Sequence, residues 1–214
     1  MSTFHNFSTF DLMKVYISLK GELIKKIGDG SEGTCYLSSD GCVYKIYDGP
    51  YDFHINPQNV ITKDEIDLDS FNFPREVYVV NGEVKGYKSD YIPNNKFNIS
   101  WDNDEEFELD FESLAKAYDV FLQDVHVLSE KGIFLFELCF NLMFDGNRLV
   151  ACDTCEYERY NDFDFEKLYL KNVDTLDYAI DQELLMQAQY YEFKYNSGDF
   201  KRYCEERKKT MGGI

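Results

Sequence analysis

Three glycines at regular spacing are the first feature of this sequence that could do chemistry. They are Gly28, Gly30 and Gly33, and together they form the pattern Gly-x-Gly-x-x-Gly. Because glycine has no Cβ, the backbone N–H groups of such a loop can approach phosphate oxygens closely. The pattern alone is weak evidence, since turns in many proteins contain glycine. It makes a phosphate site the first hypothesis to test.

The residues after the glycines argue against two common nucleotide folds. In a dinucleotide-binding βαβ unit the glycines would open a helix. Here Thr34–Leu37 and Cys42–Tyr47 are predicted strands, joined by a tight turn at Asp40-Gly41. A Walker A loop would end in Gly-Lys-Ser or Gly-Lys-Thr, and Gly33-Thr34-Cys35 lacks the lysine. What remains is a glycine loop between antiparallel strands, with Lys45 on the next strand.

This arrangement resembles the protein kinase family, in which a glycine-rich loop covers the ATP phosphates and a strand lysine pairs with them. Val43-Tyr44-Lys45 stands where the family has Val-Ala-x-Lys, with Tyr44 in place of a small residue. The resemblance implies that Gly28, Gly30, Gly33 and Lys45 bind ATP. The alternation of the strand leaves a second option, in which Lys45 points outward to solvent.

The family also has a glutamate that pairs with this lysine and a hinge that binds adenine. Glu65 and Glu76 are the two candidates for the glutamate, and the sequence does not choose between them. The stretch Gly86–Ile92 resembles the last strand before the hinge. Backbone groups near Asp90 and Ile92 would then hydrogen-bond the adenine.

The same resemblance gives roles to three residues of the second half. The catalytic loop of small kinase relatives keeps Asp-Leu followed by Asn. Here Glu137-Leu138 stands at Asp-Leu and Asn141 at the asparagine, with one residue fewer between them than in the family. Glu137 would be the catalytic base, and Asn141 would bind Mg²⁺. Asp153 follows the predicted strand Leu149–Cys152 and would be the second Mg²⁺ ligand; the alternative is an aspartate that caps the next turn.

Hydrophobic patterning divides the chain into a strand-rich part, residues 1–92, and a mainly helical part, residues 93–214. The first part contains a second hairpin around Asn81-Gly82. It also contains two predicted short helices, one within residues 1–20 and one at about Thr62–Asp69, where a capping-box spacing occurs. The second part has a long helix from Phe111 to Lys131, short strands, and helix-like sequence from Asp164 to about Lys209.

These elements and the resemblance predict an α+β fold. It is a two-lobed protein kinase-like domain, with a small antiparallel sheet lobe in residues 1–92 and a reduced helical lobe in residues 93–214.

Strong acidity limits the partners that the protein could bind. The chain has 40 acidic and 22 basic residues and a net charge of -18. Such a field repels nucleic acid and anionic membrane, and it favours a basic protein partner. ATP could be held only where Mg²⁺ and local donors reverse the field. Neither a signal peptide nor an apolar run of roughly 18 residues is found, so a cytoplasmic protein is expected.

Cysteines and histidines do not point to a metal or redox centre. Cys152 and Cys155 form a C-x-x-C, but a zinc site would need a second pair and a redox motif would open a helix. The six cysteines are expected to be reduced thiols. The three histidines are far apart in the sequence and show no ligand spacing.

Three functions remain open from the sequence. The first is an ATP- and Mg²⁺-dependent phosphotransferase whose acceptor is unknown. The second is a pseudokinase that binds nucleotide or protein, because glutamate replaces aspartate at Glu137 and the spacing to Asn141 is short. The third is an interaction protein whose acidic, tyrosine-rich surface binds a basic partner.

Overall fold

The computed structural model describes residues 3–7, 23–48, 55–93, 95–97, 109–190 and 195–211. These residues form two compact units. Unit 1 contains the described residues up to Leu68, together with Asn72–Tyr91 and Asp153–Tyr157. Unit 2 contains the described residues of Asp69–Phe71, Ile92–Cys152 and Glu158–Ile214. Asp153 therefore belongs to the same unit as the glycine loop, although it is far from the loop in sequence.

Unit 1 is built on a six-stranded sheet. In order across the sheet, the strands are β1 (Thr3–Phe7), β5 (Glu76–Val80), β6 (Glu83–Asp90), β4 (Cys42–Ile46), β3 (Thr34–Ser38) and β2 (Leu23–Asp29). The strands from β5 to β2 are antiparallel to their neighbours, whereas β1 lies parallel to β5 at one edge. A buried cluster fills the core of this unit: Ile55, Val60, Val77, Val79, Val84, Tyr87 and Cys155.

Both predicted hairpin turns are present. The Gly41 N–H donates to the Ser38 carbonyl at 3.1 Å, which closes the turn between β3 and β4. Asn81 and Gly82 both have positive φ angles, 52° and 84°, between β5 and β6. Two positive φ angles give the turn the twist that matches its flanking strands. These elements were predictable because each hairpin carries its own turn chemistry.

The short helix predicted at about Thr62–Asp69 is not formed. The Thr62 carbonyl accepts from the Glu65 and Ile66 N–H groups at 3.0 and 3.1 Å, which makes a single turn. Ile61, Ile66 and Phe71 are all buried. A spacing of five residues does not keep side chains on one helical face, so an irregular chain buries them instead.

A second short helix was predicted within residues 1–20. Thr3–Phe7 is a strand, and the rest of that range lies outside the described residues.

Unit 2 contains three described helices: α1 (Phe111–Glu130), α2 (Phe165–Tyr190) and α3 (Asp199–Met211). It also contains two small strand pairs, formed by β7 (Ile133–Phe134) with β10 (Glu158–Arg159) and by β8 (Leu142–Phe144) with β9 (Leu149–Ala151). The helix α1 begins where predicted, because the Asp110 side chain accepts from the Glu112 N–H. None of the helices that the structure describes combines the length and the apolar character needed to cross a membrane.

The continuous helical region predicted from Asp164 to Lys209 is two helices. Gly198, with a φ of 77°, precedes α3. Asp181 of α2 accepts hydrogen bonds from the Ser197 hydroxyl at 2.7 Å and from the Gly198 N–H at 2.6 Å. Asp181 of α2 therefore holds the two residues that directly precede α3.

We expect Phe121→Ala to lower the free energy of unfolding by about 3–5 kcal/mol. Phe121 is fully buried in α1, and its ring packs 4.8 Å from the ring of Phe71. Denaturant unfolding measures the change. Val120→Ala is the matched control, because the neighbouring side chain is 48% exposed and its loss should change stability by less than about 0.5 kcal/mol. Equal effects of the two substitutions would contradict this packing.

Candidate functional site

The glycine loop joins β2 to β3 and is closed by a tight turn. Gly28 lies in β2 opposite Cys35, and the Gly30 N–H donates to the Gly33 carbonyl at 3.0 Å. A Cβ on Gly33 would lie 2.0 Å from the Ile46 carbonyl oxygen. Only glycine fits there without moving β4, so close backbone approach explains the third glycine. The loop is the kind of Cβ-free backbone that a phosphate group fits.

Lys45 lies in β4 and points to the buried side of the sheet. It is 8% exposed. Its cross-strand neighbours are Cys35 on β3 and Tyr87 on β6. Directly opposed residues share a face of a sheet, and Tyr87 belongs to the buried cluster. The alternative in which Lys45 points outward is therefore wrong.

Two carboxylates neutralise the Lys45 ammonium. Its Nζ donates to Glu32 Oε2 at 2.6 Å and also to Asp153 Oδ2. Burial acts against the charged lysine, but the two carboxylates outweigh burial and raise the pKa of Lys45 above its ordinary value. Burial raises the pKa of Glu32, while Lys45 acts in the opposite direction. The three groups form one coupled ion cluster, which we call the Lys45 cluster.

Asp153 is held by more than the lysine. Its Oδ1 accepts hydrogen bonds from the Tyr47 hydroxyl at 3.3 Å and from the Tyr87 hydroxyl at 3.2 Å. Its backbone is left-handed, with a φ of 55° and a ψ of 50°, a conformation that aspartate tolerates better than most residues. Both carboxylate oxygens are thus engaged inside unit 1. The structure brings together Lys45 and Asp153, which sequence reasoning had assigned to one phosphate and metal site.

The glutamate that pairs with Lys45 was predicted wrongly. Glu65 is exposed on its turn. Glu76 lies on β5, where it accepts from the Tyr78 hydroxyl at 3.2 Å and stands 3.6 Å from Lys88 Nζ. Glu32, inside the glycine loop, takes the role instead. The hairpin register could have shown this, because Cys35 opposes Lys45 and places the loop directly beyond the lysine.

The adenine contact predicted for the backbone near Asp90 stays a prediction. The Asp90 N–H donates to Asn72 Oδ1 at 3.1 Å, and Asn72 Nδ2 donates to the Asp90 carbonyl at 2.8 Å. Both backbone groups therefore already have a partner within unit 1. The contact predicted for Ile92 stays a prediction.

A further cleft of unit 1 is lined by none of the residues of the glycine loop or the Lys45 cluster. It encloses about 620 Å³ and is lined by charged residues that include Lys63, Arg75, Lys88 and Asp90. Arg75 and Lys63 both bind the Asp90 carboxylate, at 2.5 and 3.1 Å. Lys88 binds Asp40 at 2.7 Å. The residues that line this cleft do not include the Gly-x-Gly-x-x-Gly backbone, so it is a weaker candidate for a phosphate site than the glycine loop.

In unit 2, hydrogen bonds fix the conformation of the loop that carries Glu137 and Asn141. Asn141 Nδ2 donates to the Glu137 carbonyl at 2.9 Å, and the Asn141 N–H donates to the Leu138 carbonyl at 3.2 Å. The Cys152 N–H then donates to the Asn141 carbonyl at 2.7 Å. Glu137 is exposed, and its φ of 49° lies in the left-handed region. A non-glycine residue in that region persists only where its surroundings hold it.

Two buried polar residues of α2 support this loop, and sequence reasoning missed both. Asn172 Oδ1 accepts from the Leu135 N–H at 2.9 Å, just before the loop. The carboxylate of Glu183 accepts a backbone hydrogen bond from Phe140, whose φ is 64°. Burial raises the pKa of Glu183 to about 7. Both residues are far from the loop in sequence, so only their polar character within a helix could have drawn attention.

No three His, Cys, Asp or Glu side chains in the described ranges lie close enough together to hold a metal ion. Mg²⁺ with a nucleotide is usually held by one or two carboxylates together with phosphate oxygens and water. The roles of Asn141 and of Asp153 as metal ligands each stay a prediction.

Comparison with known proteins places the fold. No family model matches the sequence, and no curated protein does. Among solved structures, the kinase PK-1 of Cydia pomonella granulovirus aligns with a TM-score of 0.52 and 18% sequence identity. The fold is kinase-like. The alignment covers 72% of this chain and 60% of the viral kinase, so the chain spans about three fifths of that protein's length. Identity at this level shows the fold alone.

We expect Lys45→Met to lower the free energy of unfolding by about 3–5 kcal/mol at neutral pH. The substitution leaves Glu32 and Asp153 as two partly buried carboxylates without their cation. Denaturant unfolding measures the loss. Lys25→Met is the control, since Lys25 lies exposed on the edge strand β2. Similar stability of the two variants would show that the Lys45 cluster contributes nothing.

A second prediction concerns pH. The pKa of Glu183 is raised from 4.5 to about 7 in the folded protein, so folding favours the protonated form. Its contribution to stability is full below pH 4.5 and is lost as the pH rises through about 7, a change of a few kcal/mol. We expect unfolding measured from pH 4.5 to 8 to show this loss in the wild type and not in Glu183→Gln. Parallel curves for the two proteins would contradict it.

Proposed function

We propose that this chain binds ATP with Mg²⁺ in the site of the glycine loop and transfers the γ-phosphate to an acceptor. The observation that carries the proposal is the contact of Lys45 with Asp153 beside the Cβ-free loop. A buried lysine is costly unless it is paired, so a lysine kept on the inner face of the sheet favours a specific task. Binding of phosphate is the task that its neighbours support best.

Five residues of unit 1 have roles in this proposal. Gly28, Gly30 and Gly33 provide a backbone that phosphate oxygens can approach. Lys45 orients the phosphates with its ammonium group. Asp153 would hold Mg²⁺ through the carboxylate that Lys45, Tyr47 and Tyr87 now position. Bound Mg²⁺ and ATP would supply the phosphoryl group and neutralise its charge during transfer.

Two residues of unit 2 keep the roles that the resemblance to kinases implies for them. The donation from Asn141 Nδ2 to the Glu137 carbonyl orients the amide, which leaves Oδ1 as the oxygen for Mg²⁺. Glu137 is exposed, so its carboxylate is open to an acceptor hydroxyl and can take the proton of that hydroxyl. With a net charge of -18, the protein favours a cationic acceptor, such as a basic protein, over an anionic one.

A pseudokinase is the second candidate. Glutamate stands where the family has aspartate, and its backbone is left-handed, with a φ of 49°. A base displaced from the acceptor by a small distance would lose most of its effect. Nucleotide would then bind without transfer, and the site would serve as a sensor or a docking module.

Nucleotide binding is the first test. We expect ATP with Mg²⁺, at about 100 times its dissociation constant, to stabilise the wild type by about 2.7 kcal/mol in thermal unfolding. Lys45→Met and Asp153→Asn should lose this shift, because each removes a group expected to hold the phosphates or the metal. Lys25→Met should keep it. Absence of a shift in the wild type would rule out both candidate functions.

Phosphate transfer is the second test. Transfer of labelled γ-phosphate to the protein itself or to basic proteins should fall about 10²–10⁴-fold in Glu137→Gln, while nucleotide binding stays unchanged. Glu130→Gln, at the exposed end of α1, is the matched control. Binding without any transfer that depends on Glu137 would decide for the pseudokinase.

A further inference from the structure

The loop expected to cover phosphates carries a carboxylate that already binds the phosphate lysine. Glu32 is the second residue before the start of β3, and its Oε2 lies 2.6 Å from Lys45 Nζ. Its side chain is only 19% exposed. A carboxylate oxygen and a phosphate oxygen make the same kind of charge-assisted bond to an ammonium group. Glu32 therefore stands in the position of a ligand oxygen.

We propose that Glu32 competes with the nucleotide for Lys45. Its carboxylate occupies the lysine in the free protein and leaves it when phosphate binds. The inference rests on the proposed function, and it names the residue of this chain that sets the affinity of the site.

The surroundings of Lys45 Nζ leave little room for another anion. Glu32 and Asp153 each accept one of its hydrogen bonds, and the ring of Tyr47 lies 4.9 Å away. The residue as a whole is 8% exposed. A phosphate oxygen could reach the ammonium only by taking the place of one of these neighbours.

Glu32 is the neighbour that leaves at lower cost. Asp153 accepts bonds from Lys45 and from two tyrosine hydroxyls, and it is fixed next to a buried turn, Thr154–Glu156. Glu32 belongs to the short turn between Gly30 and Gly33, and the negative charge of Asp153 acts against its own. Outside the cluster it would return to water.

The charge of the cluster also favours departure of Glu32 when a phosphate group binds. One ammonium and two carboxylates give the Lys45 cluster a net charge of -1. A polyphosphate that enters beside both carboxylates meets like charge, whereas withdrawal of Glu32 leaves a neutral pair of Lys45 and Asp153. Nucleotide then binds only to the fraction of the protein in which Glu32 has left Lys45. The apparent dissociation constant equals the intrinsic dissociation constant divided by that fraction.

The test is titration calorimetry of Mg²⁺-ATP with four proteins. We expect Glu32→Gln to bind about tenfold more tightly than the wild type, because the amide competes poorly for an ammonium group. Glu32→Asp keeps the charge but is one methylene shorter, and it should bind with intermediate affinity. Glu206→Gln removes the same charge from an exposed position on α3 and should match the wild type.

A second measurement needs no nucleotide. Acylation of Lys45 by an amine-reactive ester, followed by mass spectrometry, should be several-fold faster in Glu32→Gln than in the wild type or in Glu206→Gln. The loss of one carboxylate uncovers the amine and lowers the pKa that the carboxylates had raised.

The outcomes separate this inference from the proposed function. Unchanged or weaker nucleotide binding by Glu32→Gln, with binding by the wild type intact, overturns the competition alone. Tighter binding by Glu32→Gln with wild-type binding by Glu32→Asp also overturns it, since the effect would then come from charge and not from displacement. No binding by any of the four proteins overturns the proposed function, and the inference with it. In that case faster acylation of Lys45 would still show that Glu32 covers the lysine.

Discussion

A buried ammonium group has to be matched by negative charge, and this constraint organises unit 1. Lys45 faces the core side of a central strand, where an unpaired charge would be strongly destabilising. The chain meets the requirement with one carboxylate from the neighbouring loop and one from Asp153, 108 residues away in sequence. The hydroxyls of Tyr47 and Tyr87 hold that second carboxylate in place. Cys155 packs into the core cluster of the same unit. The five residues Asp153–Tyr157 are thus part of unit 1 because of both charge and packing.

Hydrogen bonds from buried polar side chains also hold the loop of unit 2 that carries Glu137 and Asn141. Here the groups that require partners are backbone N–H groups. The loop contains two left-handed residues, Glu137 and Phe140. Backbone N–H groups that are turned away from regular partners must find others. Asn172 and Glu183, both buried on α2, provide acceptors for the segment. The side chain of Phe140 remains 64% exposed, so the conformation is held by hydrogen bonds and not by burial of the ring. These hydrogen bonds hold the backbone of Glu137 and Asn141 in a defined geometry, which the proposed function requires.

The fold is kinase-like, but the carboxylate partner of Lys45 differs from the one that the resemblance to kinases implies. In the kinase family the lysine is paired by a glutamate on a helix after its strand. Residues 55–75, the described part of the connection between β4 and β5, contain no helix. The pairing carboxylate comes from the glycine loop instead. The loop that holds phosphate in the proposed function also binds Lys45 through Glu32. In the competition that we infer, nucleotide binding and release of the lysine by Glu32 are therefore one event.

The sequence by itself determined the elements whose signals are local. The turns at Asp40-Gly41 and Asn81-Gly82 and the helix α1 carry their own turn residues, cap and apolar periodicity, so their positions could be predicted closely. The sequence also placed Lys45 on the strand that follows the glycine loop, but it left open whether the side chain points inward or outward. The order of these elements was enough to predict a kinase-like fold.

Tertiary structure alone decided how the side chains are paired. The helix predicted at Thr62–Asp69 gave way to a single turn, because Ile61, Ile66 and Phe71 are buried at a spacing that no helix can serve. The choice of Glu32 over Glu65 and Glu76 depended on which carboxylate the hairpin brings within reach of Lys45. Asp153 could be suspected, but its partners Tyr47 and Tyr87 could not, because strand alternation gives the face of a residue and not what meets it there. Charge pairing acts over a few ångströms in space, and sequence distance carries no information about that separation.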